Sequence, residues 1–218
     1  MLAVPAPTNR FFVNDYADVL SPAAEQAVYA GGAALYEKTG AQVVLVTERS
    51  TNGTALEEYT RELARQWGIG DSEKDTGVLL YLAVDDRAVR IEVGYGLEGA
   101  ITDAKSGLLL DTYALPYFRN NEFETGLQKA YAALVNEVAL EFGVSADPSY
   151  TPLDTLAQKP TRGDRLGMIV AVLLLIFLLS TPFGRRILLY SLLFRGGNTS
   201  GYRGGGGSFG GGGASRNF

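Results

Sequence analysis

Chemistry in this chain must be done without imidazole or thiol, because the 218 residues include no His and no Cys. That excludes Ser-His-Asp and papain-like catalysis and the usual zinc sites. Oxygen ligands remain, and they select hard cations. Four aspartates sit where loops could gather them: Asp15 in "NDYADVL", the adjacent Asp85 and Asp86, and Asp103 in "TDA". Gathered carboxylates repel one another unless a cation joins them. One divalent cation is therefore expected on Asp15, Asp85 and Asp86 with Asp103, and Glu98 is a lesser candidate. Ca²⁺ fits loop carboxylates and carbonyls better than Mg²⁺, which demands a stricter octahedron. The competing reading is that adjacent acids at a hairpin tip are solvated turn residues.

A second string invites a different chemistry. Gly94-Tyr95-Gly96-Leu97-Glu98-Gly99 spells G-x-G-x-x-G. A dinucleotide fingerprint must follow the first strand of a β-α-β unit and open its helix. Here the glycines follow the second arm of a hairpin, so no nucleotide cofactor is expected. They read instead as backbone residues with positive φ, making a tight exit from a strand. "EKDTG" before an apolar run reads as a turn, since an aspartyl nucleophile belongs after a strand, not before one.

The elements around these residues follow from pattern. Ser21 with Pro22 starts a helix over about 22–38, and Gly40 ends it. "AQVVLVT", 41–47, is a Val-rich strand. "TALE", 54–57, reads as a capping box for a helix running to Trp67. "GVLLYLAV", 77–84, is apolar throughout and reads as a central strand. "AVRIEV", 88–93, alternates, with Arg90 and Glu92 on one face. Helices are expected over about 104–115 and 124–141, with Asp103 capping the first. The order αβαββαα predicts an α/β domain, a mixed β-sheet sandwiched by helices.

Beyond about residue 143 the composition changes. Residues 144–165 read as a linker. "LGMIVAVLLLIFLLSTPFG", 166–184, holds 19 residues without charge, and a helix of that length rises roughly 28 Å, enough to cross a bilayer. Residues 1–165 carry 24 acids against 14 Lys and Arg, a net −10, whereas 185–218 carry five Arg and no acid. The acidic part makes nucleic acid an unsuitable partner. The basic tail places 185–218 inside and the domain outside, as a single-pass cell-membrane protein. A removed signal peptide is expected ahead of "MLAVPAPTNRFF". The Gly-rich tail, "GGNTSGYRGGGGSFGGGGASRNF", is expected to be disordered in isolation.

"VNDYADVLS", "KDTGVLLYLAVDDRAVRIEVGYGLEGAITDAKSG" and "PYFRNNEFETGLQKAYAAL", within residues 9–143, resemble a TPM domain of the YgcG-like type. "GGGGSFGGGGAS" after one membrane helix also resembles bacterial members. The resemblance implies an exported α/β sandwich. It implies metal binding and acid phosphatase activity in some relatives, photosystem repair in a plastid branch, and LemA-type membrane proteins as companions. Two functions are then in play. One is a membrane-anchored, metal-binding module that assists assembly, repair or quality control of membrane protein complexes. The other is a metal-assisted acid phosphatase, with Asp85 or Asp86 as base and Arg87 or Arg119 steadying the phosphate.

Overall fold

A computed structural model describes residues 4–70, 74–145, 147, 150–157 and 212–218. One compact body comprises residues 1–154 and 208–218. Of the second, residues 155–207, only 155–157 are described. Among the described residues no helix is long and apolar enough to cross a membrane, and the 166–184 run lies outside them.

The main body is a mixed five-stranded sheet in sequential order β1-β2-β3-β4-β5. Strand β1 is Val13–Asp15, β2 Gln42–Glu48, β3 Gly77–Ala83, β4 Ala88–Val93 and β5 Gly213–Asn217. The first three run parallel, and the last two pairings are antiparallel. Helix α1, Pro22–Thr39, joins β1 to β2, and α2, Leu56–Trp67, joins β2 to β3. After β4 come a short 3-10 turn at Tyr95–Leu97, α3 (Asp103–Leu109), a π-helical stretch (Leu110–Ala114), α4 (Leu115–Phe118) and α5 (Phe123–Glu141). Helix α6, Leu153–Ala157, follows.

Local chemistry sets most boundaries. The Ser21 hydroxyl accepts from the Ala24 N–H at 3.2 Å, and Gly40 closes α1 in the left-handed region at φ +74°. The expected capping box of α2 does not form: its N-cap is Ala55, with no side-chain cap. Thr102, not Asp103, caps α3, accepting from the Lys105 N–H at 3.3 Å. The π stretch precedes Pro116, which has no N–H to give the Thr112 carbonyl, so the helix widens there.

Strand alternation gives two buried faces. Val44, Val46, Leu79, Tyr81 and Ala83 pack with Tyr59 and Leu63 of α2. Val43, Leu45, Leu80, Leu82, Val89 and Ile91 fill the other face, towards α1 and α5, and all six are fully buried. Arg90 and Glu92 do share a face, as their alternation predicts, but that face is covered by α2. Arg90 Nε donates to Glu92 at 2.7 Å, and Arg61 of α2 lies 4.0 Å from the same carboxylate.

Two strands lie outside the expected αβαββαα order. β1 is three residues long, too short to show a period. β5 falls in the segment expected to be disordered. Residues 213–217 are a sheet strand, ordered by the open edge of β4, while residues 196–211 lie outside the described residues.

Candidate functional site

The four predicted ligands are not brought together. Asp15 ends β1, and its Oδ2 accepts the backbone N–H groups of Val19 at 2.9 Å and Leu20 at 2.7 Å. Its Oδ1 accepts the Thr47 hydroxyl. Asp85 is exposed in the β3–β4 turn, where its N–H donates to the Arg49 carbonyl at 2.8 Å. Asp86 accepts from the Ser50 hydroxyl at 2.7 Å, the Thr51 N–H at 2.8 Å and the Thr51 hydroxyl at 3.2 Å. These bonds hold its carboxyl below the ordinary value. Asp103 accepts the Gly213 N–H at 2.7 Å. Among the described residues no three His, Cys, Asp or Glu side chains are grouped to hold a metal ion. Three of the four carboxylates already have protein donors, and since they are not grouped they set up no mutual repulsion for a cation to relieve.

An unpredicted acid lies at the carboxyl end of β2. Glu48 accepts the Tyr59 hydroxyl at 3.0 and 2.9 Å through its two oxygens. Burial pushes its carboxyl up, against the opposing pull of the tyrosine hydrogen bonding. Burial and the Glu48 charge push both Tyr59 and Tyr81 above the ordinary phenol value. The Tyr81 hydroxyl is buried without a hydrogen-bond partner among the described residues. An open cavity of about 410 Å³ lies between α1 and α5, and two of the polar side chains lining it, Tyr131 and Asn136, are engaged. Tyr131 donates to the Val43 carbonyl at 2.8 Å, and the Asn136 amide oxygen accepts the Asp147 N–H at 2.7 Å.

The groove beside β4 is built differently, because it holds a ligand: residues 212–218 of this chain. Main-chain pairing sets the register, with Val93 N–H donating to Gly212 at 2.8 Å and Phe218 N–H to Arg87 at 3.1 Å. The glycine string supplies one end of the groove. Glu98 accepts the Gly212 N–H at 2.7 Å, directly before the Asp103 contact with Gly213. In the middle, Arg90 donates to the Ser215 hydroxyl at 2.9 Å. Arg216 makes a fork with Asp111, Nε to Oδ1 at 2.7 Å and Nη2 to Oδ2 at 3.0 Å. Asp111 stands on the π stretch, and Gly107, one turn earlier, leaves the guanidinium its space. A Cβ on Gly107 would lie 2.6 Å from Arg216 Nη2. At the far end the Phe218 ring lies 5.0 Å from Phe118 and 6.1 Å from Phe123 between centroids. Arg87 covers that ring at 4.8 Å, and its Nε donates to the Phe218 carbonyl at 2.7 Å.

The glycines themselves have a different reason from the one expected. None of Gly94, Gly96 and Gly99 has positive φ. Gly94 and Gly96 permit close approach of the 74–77 backbone. A Cβ would meet the Asp75 carbonyl oxygen at 2.2 Å from Gly94 and the Lys74 carbonyl oxygen at 1.9 Å from Gly96, whereas Gly99 faces open space. No sequence pattern marks Arg87, Gly107, Asp111, Phe118 and Phe123 as a peptide site, and Arg87 is expected on a phosphate instead. Their only common signal is complementarity to a distant Arg-Asn-Phe, which no local pattern reveals.

The TPM domain profile matches residues 13–137. The N-terminal domain of a protein from P. gingivalis is similar at 31% identity and TM-score 0.57, over 64% of this chain and 88% of that one. The N-terminal domain of a Corynebacterium glutamicum protein matches at 17% identity and TM-score 0.47, over 68% of this chain and 90% of that one. No curated protein matches.

Proposed function

This chain belongs to the TPM domain family, and we propose that this member is a membrane-anchored, extracytoplasmic binding module that holds extended polypeptide segments along β4. Such a module would serve assembly, repair or quality control of membrane protein complexes. One observation carries the reading: an extended segment is seated on the open β4 edge, with side chains of the domain holding both of its ends. Strand addition combines main-chain affinity with side-chain selectivity. The acidic site lends less support to a metal-assisted phosphatase, since Asp86 is used by Ser50 and Thr51 and Arg87 by Phe218.

The anchor and the seated segment constrain each other. A 166–184 helix that spans once separates the domain from residues 213–218, and leaves the groove open to a partner. A 166–184 stretch that stays in the leaflet facing the domain allows the chain to fill its own groove. Hydrogen exchange on the full chain in detergent micelles tests the binding reading. In the register of β4 with β5, the Val89, Ile91 and Val93 amides face the seated strand. They should exchange faster in an Arg216→Ala, Phe218→Ala variant, and an added peptide of sequence GGASRNF should slow them again. Exchange unchanged by both manipulations would refute strand addition.

A further inference from the structure

The β4 edge alone would accept any extended chain, yet the seated residues are held by contacts that distinguish one sequence from another. Resting on the binding reading above, we infer that the groove selects a partner segment of pattern Gly-Gly-small-Ser-Arg-x-Phe, and that residues 212–218 are its resident competitor. Each position has a physical reason. At 213 only glycine fits, since a Cβ would lie 2.2 Å from the Ile91 carbonyl oxygen; at 212 a Cβ would lie 2.8 Å from the end of the movable Asp103 side chain, so glycine is favoured there but not required. Ala214 is 8% exposed, so its place takes a small side chain. Ser215 presents an acceptor to Arg90. At 216 the Asp111 fork and the space over Gly107 call for a planar cation; lysine would lose the second bond. Asn217 is exposed and unread. At 218 the pocket of Phe118, Phe123 and Arg87 takes an aromatic ring.

The occupant is therefore an extended polypeptide with an arginine two places before an aromatic residue and with glycines ahead of it. Such a segment binds by displacing the resident strand. Residues 158–211 tether that strand, so it competes at an effective concentration that reaches the millimolar range for short flexible linkers and falls as the linker lengthens.

The test uses full-length protein in detergent micelles, with Arg216→Ala and Phe218→Ala to vacate the groove, and fluorescently labelled peptides GGASRNF and GGASENF. The vacated chain should bind GGASRNF at least about tenfold more tightly than GGASENF. Asp111→Arg on that background should reverse the preference, and Asp111→Asn, which keeps the side-chain shape, should abolish it. The chain with its resident segment intact should bind GGASRNF at least about tenfold more weakly than the vacated chain. Equal binding of both peptides to the vacated chain, with β4 amides protected by each, would overturn the selectivity while sparing strand addition. Binding of neither, with β4 amides unprotected, would overturn both. A preference unchanged by Asp111→Arg in a variant that melts like its parent would overturn the assignment of Asp111.

Discussion

Changing Gly96 to Ala should damage the domain, whereas the same change at Gly99 should do almost nothing. The added methyl at 96 would sit 1.9 Å from the Lys74 carbonyl oxygen, where C···O contacts ordinarily need about 3.3 Å. The neighbour is backbone, so it cannot rotate aside as a side chain could. Separating the segments by more than about 1 Å would stretch two bonds, Gly94 N–H to Gly77 at 2.7 Å and Gly96 N–H to Asp75 at 3.2 Å. Overpacking costs roughly 1–3 kcal/mol, and each lost bond about 1 kcal/mol more. A total near 3 kcal/mol lowers the midpoint of a domain of this size by about 6–12 °C. Gly99 has no atom within 4 Å of its missing Cβ, and its change should stay within about 0.5 kcal/mol. Calorimetry on the two full-length variants decides the matter. If they melt within about 2 °C of one another, the close-approach argument is wrong.

Glu48 is held above its ordinary value of 4.5 by burial, so the folded state keeps its proton to higher pH than the unfolded chain does. Stability should therefore fall as pH rises from about 4.5 through the folded-state value, and Glu48→Gln should flatten that decline in thermal melts between pH 4.5 and 7, while the part due to Glu92, which burial shifts the same way, stays. Asp86 has the opposite sign: its carboxyl is lowered from 3.8 by its hydrogen bonds, so its contribution is present above that value and lost as pH falls through the folded-state value. Asp86→Asn should reduce the acid-side loss of stability, read from melts between pH 2 and 5. Saturating Ca²⁺ is expected to leave the melting midpoint unchanged, because Asp86 is already occupied by protein donors. A rise that disappears in an Asp85→Asn, Asp86→Asn double variant would instead establish the cation site.

Much of the domain was legible because its signals are local. Ser21, Pro22 and Gly40 bound α1, and the apolar run at 77–83 with its alternating neighbour at 88–93 gives the β3–β4 hairpin. β1 escaped because its three residues depend on pairing with β2 rather than on a period of their own. β5 escaped for a stronger reason: glycine disfavours a strand locally, and its order comes from contacts more than a hundred positions away, such as Arg216 to Asp111. The same holds for the site. Asp103 and Glu98, which read as candidate cation ligands, are used, but by the backbone of Gly212 and Gly213. Convergence of carboxylates cannot be read from residue type alone. Asp15, at the end of β1, closes the turn into α1 instead of facing Asp86.

The absence of cysteine allows the seat of residues 213–218 to be tested in intact membranes. Ala88 lies opposite Asn217, and Phe218 N–H donates to the Arg87 carbonyl, so by alternation 88 and 217 form a pair without mutual backbone bonds, a geometry a disulfide can bridge. An Ala88→Cys, Asn217→Cys chain should form an intramolecular disulfide on mild oxidation of membranes, retained at monomer mass and reversed by reductant, with neither single variant cross-linking. A double variant that forms no such bond, while the Asn217→Cys single variant reacts with an impermeant maleimide only from the face of the membrane opposite the domain, would contradict it.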